Sequence, residues 1–82
     1  MRESYILYQS PFCGFCARVE RFLDSHGMVL PTKNTIIDPE ARRELIEGGG
    51  RSTVPCLRIE AEDGSVRWMY ESLDIMDYLA RA

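Results

Sequence analysis

The chain has 82 residues, of which 45% are hydrophobic and 28% charged, a composition typical of one globular domain spanning residues 1–82. The formal net charge is −3 and no basic cluster exceeds Arg42–Arg43, so nucleic-acid binding has little electrostatic support. No apolar run approaches the roughly 20 residues of a membrane span, and no signal-peptide pattern is visible, so we expect a cytoplasmic protein.

The first half of the chain predicts a strand, a helix and a second strand. Tyr5–Tyr8 is a β-prone run that ends at a turn-forming segment. Residues 14–26 predict a helix, because apolar side chains recur there at helical spacing. This stripe consists of Cys16, Val19, Phe22 and Leu23. Gly27 suits the left-handed residue that follows a helix, and Thr35–Ile37 is predicted to be the second strand.

The second half predicts a helix, a hairpin and a final helix. Asp38 and Pro39 are suited to the N-cap and first position of a helix that reaches about Glu47, where three glycines follow. Two strands, Cys56–Ile59 and Val66–Met69, are joined through an Asp-Gly turn, and Ser72–Ala80 is helical. The order β-α-β-α-β-β-α predicts an α/β fold, because its crossover makes a parallel strand pair and its hairpin an antiparallel pair. The result is a four-stranded mixed sheet flanked by three helices.

The segment Cys13-Gly14-Phe15-Cys16 lies where the first strand passes into the first helix. In α/β sheets this is the usual place for a functional site. Unpaired amides and the helix dipole at a helix N-terminus favour a thiolate, so Cys13 is the predicted nucleophile. Cys16 lies one turn further on the apolar stripe and is the predicted resolving thiol.

Two other interpretations of these cysteines exist. A zinc site needs about four ligands, and only Cys56 and His26 remain to supply them, with His26 at the far end of the first helix. The pair could also be unreactive core residues. A structural disulfide is not expected in a reducing compartment, and the context of the pair as well as its spacing favours redox chemistry. Cys56 itself is interpreted as a small buried strand residue, with a regulatory thiol as the alternative. No metal site is predicted.

Three motifs in this order resemble the glutaredoxins: Cys13–Cys16, Thr53-Val54-Pro55 and Tyr70-Glu71-Ser72. The last motif is similar to that of the amino-terminal domain of glutathione transferases. The resemblance covers nearly the whole chain and implies the thioredoxin fold, with a cis peptide before Pro55. It also implies a glutathione-dependent oxidoreductase, which reduces protein–glutathione mixed disulfides and protein disulfides through Cys13 and Cys16.

The same resemblance implies a glutathione-binding set of residues. Val54 would pair its backbone with the cysteinyl part of glutathione, as an added strand does, and Pro55 would shape that edge. Ser72 and Glu71 would take the γ-glutamyl carboxylate and ammonium groups at a helix start. Phe15 completes the set. From the residues alone, Ser72 would be interpreted as an ordinary N-cap and Glu71 as a solvated acid in the first turn of the helix.

The sequence also departs from the glutaredoxin pattern. Gly14-Phe15 replaces the Pro-Tyr of many dithiol members and matches the monothiol branch, which carries iron–sulfur clusters, so a [2Fe–2S] cluster shared by two chains is an alternative. The lysine that often precedes the first cysteine is missing, which leaves Arg42 and Arg51 as candidates for the glycyl carboxylate. A non-catalytic glutathione-binding module is a further alternative. The expected partners are glutathione and disulfide-containing or glutathionylated proteins, bound by a monomer.

Overall fold

The computed structural model describes residues 3–81, which form one mixed sheet with helices on both faces. The strands are β1 (Glu3–Gln9), β2 (Thr32–Asn34), β3 (Cys56–Ala61) and β4 (Val66–Met69), in the spatial order β2-β1-β3-β4. β1 and β2 are parallel, whereas β3 is antiparallel to both β1 and β4. This is the predicted thioredoxin-like arrangement.

Three helices cover the sheet: α1 (Gly14–Ser25), α2 (Pro39–Glu44) and α3 (Ser72–Arg81). Successive residues of a strand point to opposite faces, so Leu7 and Tyr8 enter different cores. Leu7 packs with buried residues of α1, α3 and β3, namely Val19, Leu23, Leu57, Ile59, Ile75 and Leu79. Tyr8 packs on the other face with Ala41, Leu45 and Cys56. Gly27 has φ 64°, which confirms the predicted end of α1. Over residues 3–81, the helices are too short or too polar to cross a membrane.

The second strand lies three residues earlier than predicted. β2 pairs with β1 from Leu7–Thr32 to Gln9–Asn34, and β1 ends there. The Asn34 side-chain oxygen then accepts the amides of Ile36 at 2.8 Å and Ile37 at 3.3 Å. This local capping folds Thr35–Ile37 into a turn, although β-branched residues favour strands. The two isoleucines are consequently exposed.

The second helix also ends differently from the prediction. Asp38 caps α2 as expected, because its carboxylate accepts the amides of Glu40 and Ala41. Beyond Glu44, however, the chain widens into a π-helical segment, Leu45–Gly49, so the glycines do not stop it at Glu47. Short π-helical segments are rare and often occur near functional sites.

Gly48 and Gly49 explain how this segment approaches the sheet. A Cβ atom on Gly48 would overlap the Trp68 indole, and one on Gly49 would overlap the Tyr70 hydroxyl. Glycine removes the atom that would collide. The π-helical segment therefore packs directly on the last two aromatic residues of the β4 region, next to Glu71 and Ser72 in sequence.

A polar contact fixes α2 to the strands. The Glu44 carboxylate accepts a hydrogen bond from the Tyr8 hydroxyl at 2.8 Å and from Lys33 Nζ at 2.7 Å. Lys33, followed by Tyr8, lowers the pKa of Glu44. Because the three residues belong to β1, β2 and α2, this arrangement fixes how α2 lies across the sheet.

Candidate active site

Strand directions bring the predicted site residues to one edge of the sheet. β1 and β2 end at this edge, β3 begins there, and β4 ends there. The edge therefore carries Cys13 after β1, Val54 and Pro55 before β3, and Glu71 and Ser72 after β4. Long-range strand pairing assembles the site from segments that are far apart in the sequence.

Cys13 is the N-cap of α1, as its position after β1 predicts. The chain turns through residues 10–12, and the Cys13 amide donates to the Ser10 carbonyl at 3.3 Å. The Cys13 sulfur accepts the backbone amide of Cys16 at 3.2 Å. The same sulfur lies 3.6 Å from the Val54 carbonyl oxygen. An amide donor and a helix N-terminus both stabilise negative charge on sulfur, and Cys13 is partly exposed.

Cys16 has the opposite environment. Its side chain is fully buried on the inner face of α1. Burial, followed by the hydrogen bond and charge of Cys13, raises the pKa of Cys16 to about 12. The neighbouring cysteines are therefore chemically different: Cys13 is accessible, whereas Cys16 is held as a neutral thiol.

Cys56 is also buried, at the start of β3 and opposite Tyr8. Burial raises its pKa to about 12, and a contact with Tyr70 opposes that shift. This agrees with the interpretation of Cys56 as a packed strand residue. Among residues 3–81, no group of three or more His, Cys, Asp or Glu side chains is placed to hold a metal ion.

Alkylation should distinguish the three thiols by how readily each is modified. We expect a brief iodoacetamide treatment of the reduced, folded protein to modify Cys13 alone, because Cys16 and Cys56 are inaccessible and protonated. Trypsin leaves Cys13 and Cys16 in one peptide, because no lysine or arginine lies between them, so tandem mass spectrometry with fragmentation of the peptides measures the modification at each site. Modification of all three thiols after denaturation is the control, and equal labelling of Cys13 and Cys16 in the folded state would contradict the assignment.

The peptide bond between Val54 and Pro55 is cis, as the resemblance implied. Pro55 is buried, and Val54 is half-buried with its carbonyl directed at the Cys13 sulfur. The Val54 backbone thus borders the Cys13 thiol just before β3, where an extended ligand could pair with it.

A cleft of about 210 Å³ lies beside this turn. All five residues predicted to bind glutathione line it: Phe15, Val54, Pro55, Glu71 and Ser72. Arg51, Thr53 and Tyr70 complete the lining. Arg42 lies at a different surface depression, with Pro39 and Ile46. Of the two arginines considered from sequence, only Arg51 is therefore next to the cleft.

Tyr70 holds Arg51 in place, a role that the sequence analysis did not assign. The Tyr70 hydroxyl accepts the Arg51 amide at 3.3 Å and lies 3.1 Å from the Arg51 carbonyl and 3.4 Å from that of Leu45. The Arg51 guanidinium carbon is 4.3 Å from the centre of the Tyr70 ring. One side chain thus joins the loop before Val54 to the segment before Ser72.

A larger cavity, of about 570 Å³, lies on the α2 face of the sheet. Its lining includes Tyr8, Lys33, Glu44, Arg58 and Trp68 and contains no cysteine. The two cations are already paired, Lys33 with Glu44 and Arg58 with Glu60. We place the candidate chemistry at the smaller cleft, because the carbonyl oxygen of its lining residue Val54 lies 3.6 Å from the Cys13 sulfur.

The sequence model of the glutaredoxin family matches residues 5–63, which include both Cys13 and the cis-proline turn. A search of curated proteins found no match.

Solved structures share the fold at low sequence identity. A glutaredoxin–glutathione complex from buckwheat has 18% identity and a TM-score of 0.68, over 96% of this chain and 70% of its own. The thioredoxin-like protein BC3987 has 20% identity and a TM-score of 0.68, over 90% and 97%. Maleylacetoacetate isomerase from Anaeromyxobacter dehalogenans, with dicarboxyethyl glutathione and citrate in its active site, has 23% identity and a TM-score of 0.69. That match covers 96% of this chain and 36% of the isomerase.

Proposed function

The chain belongs to the glutaredoxin family of thiol oxidoreductases, and from this we propose that it is a glutathione-dependent thiol–disulfide oxidoreductase of the cytoplasm. Its proposed substrates are protein–glutathione mixed disulfides and protein disulfides, and it acts as a monomer. The observation that carries the proposal is the juxtaposition of a partly exposed thiol with a cleft. Cys13 lies at a helix N-terminus within 3.6 Å of the Val54 carbonyl, and Val54 lines the cleft with Ser72.

The first step on a glutathionylated substrate is attack by the Cys13 thiolate on the glutathione sulfur. The mixed disulfide breaks, the substrate cysteine leaves as a thiolate and takes up a proton, and a Cys13–glutathione disulfide forms. A second glutathione, as thiolate, then attacks the glutathione sulfur of that disulfide. Oxidised glutathione leaves, and the Cys13 thiolate is regenerated.

A protein disulfide takes a different second step. Attack by Cys13 breaks the substrate's S–S bond and gives a disulfide between Cys13 and one substrate cysteine. Cys16 then attacks the Cys13 sulfur, which releases the second substrate thiol and leaves a Cys13–Cys16 disulfide for two glutathione molecules to reduce. Burial is the main cause of the raised pKa of Cys16, and the hydrogen bond and charge of Cys13 add to it. In the mixed disulfide the Cys13 sulfur is neutral, so its charge no longer contributes.

The cleft supports an assignment for each part of glutathione. The Val54 backbone would pair with the cysteinyl residue and place its sulfur near Cys13. Ser72 is the first residue of α3, whose free amides favour a carboxylate, and Glu71 is exposed next to it for the ammonium group. Arg51, held by Tyr70, supplies a positive charge to the same cleft.

Substitutions at the start of α3 test this assignment. Ser72→Ala removes a hydroxyl but keeps the helix amide, so we expect glutathione binding to weaken by about 1 kcal/mol. Glu71→Gln should cost more, because the ammonium group would lose a charged partner. The measurement is the KM for a glutathionylated peptide, with Asp74→Asn, an exposed acid of the same helix turn, as control. Unchanged KM values for both variants would place the γ-glutamyl site elsewhere.

One assay tests the proposed activity directly. The protein should reduce a glutathionylated peptide in the presence of glutathione, with glutathione reductase and NADPH reporting the oxidised glutathione formed. Turnover should require both glutathione and Cys13. Glutathione binding without turnover would instead favour the non-catalytic binding module.

The iron–sulfur alternative has one feature in its favour. Apart from its chain neighbours and the backbone of its own helix, a Cβ atom at Gly14 would meet no atom of residues 3–81 within 4 Å, so there is open space at this position next to Cys13. A shared [2Fe–2S] cluster would take the Cys13 thiolate of each chain and two glutathione thiolates, and would supply electron transfer or cluster delivery.

We expect a colourless monomer in air, and some cluster-bound dimer only after anaerobic reconstitution with iron, sulfide and glutathione. Visible absorption and sedimentation measure the two states. Gly14→Pro should gain less cluster than the wild type, because the proline ring would occupy the open space. Equal loading of both proteins would leave Gly14 without a special role, and no loading of the wild type would remove the alternative.

A further inference from the structure

Exposed apolar side chains follow the ends of β1 and β2, at the edge of the sheet that also carries Cys13. Phe12, immediately before Cys13, is 90% exposed, and Ile36 and Ile37 are 61% and 77% exposed. Large apolar side chains that share an exposed region usually mark an interaction surface, whereas isolated ones need no explanation. We refer to Phe12, Ile36 and Ile37 as the apolar rim.

The strand order separates the two isoleucines of the apolar rim from the cleft. β1, which leads to Cys13, has β2 on one side and β3 on the other. Ile36 and Ile37 follow β2, whereas Val54 and Pro55 precede β3. The turn containing the isoleucines is held against the end of β1, since the Thr35 amide donates to the Gln9 carbonyl at 3.0 Å.

The hydrogen bonds of this turn keep the two isoleucines exposed. The Asn34 side chain caps both of their amides, so their backbone is fixed while their side chains point to solvent. Phe12 is held in a comparable way, because its amide lies 3.4 Å from Ser10 Oγ. The apolar rim is therefore presented by short capped turns and needs little ordering on binding, which lowers the entropic cost of association.

We propose that the apolar rim docks the polypeptide of a protein disulfide whose cysteines have apolar neighbours. The inference rests on the proposed oxidoreductase function and adds a preference among its substrates. Glutathione would occupy the β3 side of Cys13, while a polypeptide joined to Cys13 would extend over the β2 side. The occupant follows from continuity with Cys13: a chain joined to that sulfur must place the residues flanking its own cysteine within reach of Phe12.

The chemistry is that already described for protein disulfides. Cys13 attacks one sulfur of the substrate, the substrate S–S bond breaks, and Cys16 or glutathione releases the bound polypeptide. Two glutathione molecules supply the electrons and leave as oxidised glutathione. The apolar rim takes no part in bond breaking and acts by binding the substrate before and during the exchange.

Three substrates distinguish the contribution of the apolar rim to kcat/KM from that of the cleft. Two peptides of equal length and charge carry an internal disulfide, one with leucine and valine and one with serine and glycine beside the cysteines. The cysteine–glutathione mixed disulfide is the third and contains no polypeptide. We expect wild-type kcat/KM to favour the apolar peptide by about tenfold, the scale that a few buried methylene groups give in enzyme discrimination.

The variants are Phe12→Ser and the double change Ile36→Ser with Ile37→Ser. Each should lower the preference to about twofold or less, because the apolar contact is lost, while turnover of the cysteine–glutathione disulfide stays unchanged. Val29→Ser is the matched control, since Val29 is 95% exposed but lies between α1 and β2, at the opposite edge of the sheet. It should keep the full preference. Thermal unfolding of each variant monitors its fold.

The possible results are distinguishable. Equal kcat/KM for the two peptides in the wild type, or a preference that survives in both rim variants, overturns the docking proposal while the oxidoreductase stands. No turnover of the cysteine–glutathione disulfide by the wild type overturns the proposed function, and the inference with it. A dimer of the wild type that both rim variants convert to monomers would show that a second copy covers the rim, which also overturns the proposal.

Discussion

Cys13→Ser is expected to abolish disulfide reductase activity on every substrate, with a fall in kcat of at least about a thousandfold. The attacking species is a thiolate, and a serine hydroxyl at the same position cannot replace it. The Cys16 amide and the helix N-terminus would still face the side chain, but they would stabilise no nucleophile. Binding of glutathione should persist, because the cleft consists of other residues.

Cys16→Ser provides the contrast. The glutathione route regenerates Cys13 without Cys16, so reduction of glutathionylated peptides should largely survive, whereas reduction of protein disulfides should fall. The neutral, buried state of Cys16 is consistent with a thiol that acts only after Cys13 has reacted.

Both variants are measured with the coupled glutathione reductase assay on the two substrate classes, and circular dichroism verifies that each is folded. If Cys16→Ser were inactive on both substrates while Cys13→Ser retained activity, the roles of the two cysteines would be reversed.

Gly49→Ala is expected to lower the free energy of unfolding by about 1–3 kcal/mol, the usual cost of placing an extra methyl group in a packed site. The new Cβ atom would overlap the Tyr70 hydroxyl and lie 2.8 Å from its ring carbon Cζ. Tyr70 would have to move away from the carbonyls of Arg51 and Leu45. Because Tyr70 positions Arg51 and precedes Glu71, the KM for glutathionylated substrate should rise as well.

Urea denaturation measures the change in stability, and Gly14→Ala is the matched control. Apart from its own helix backbone and chain neighbours, the Cβ of that alanine would meet no described residue within 4 Å, and the position lies in the first turn of α1. Stability should therefore be unchanged or slightly higher. Adding Tyr70→Phe to Gly49→Ala should recover part of the lost stability, since the overlapping hydroxyl is removed. A Gly49→Ala protein with wild-type stability and KM would show that the π-helical segment does not constrain the site.

Chain order and local chemistry were enough to predict that Cys13 lies at the N-terminus of the first helix. A strand followed by a turn and an apolar helical stripe put Cys13 at the start of α1, and the Asp38-Pro39 pair gave the start of α2. The hairpin strand Val66–Met69 has the predicted bounds. These features depend on contacts between residues that are close in the sequence, which is why pattern and propensity suffice.

The remaining features depend on competition between local structures or on contacts between residues far apart in the sequence. Thr35–Ile37 has strand propensity, but the end of β1 leaves it without a pairing partner and the Asn34 side chain offers its amides an alternative. Asn34, a residue that often caps nearby backbone amides, was a signal for this turn. The prediction of a strand gave more weight to the β-propensity of the residues that follow. Nothing local to Tyr70 indicates that its hydroxyl meets backbone atoms 19 and 25 residues away.

The packing of Trp68 has an optical consequence. It is the chain's only tryptophan, its ring centre lies 5.4 Å from that of Tyr8, and the π-helical segment covers it through Gly48. Intrinsic fluorescence excited at the red edge of the absorption band therefore arises from one indole, on the sheet face opposite α1 and α3. Emission can thus follow the docking of α2 and the π-helical segment without an introduced label, while thiol reagents follow Cys13 independently on the same sample.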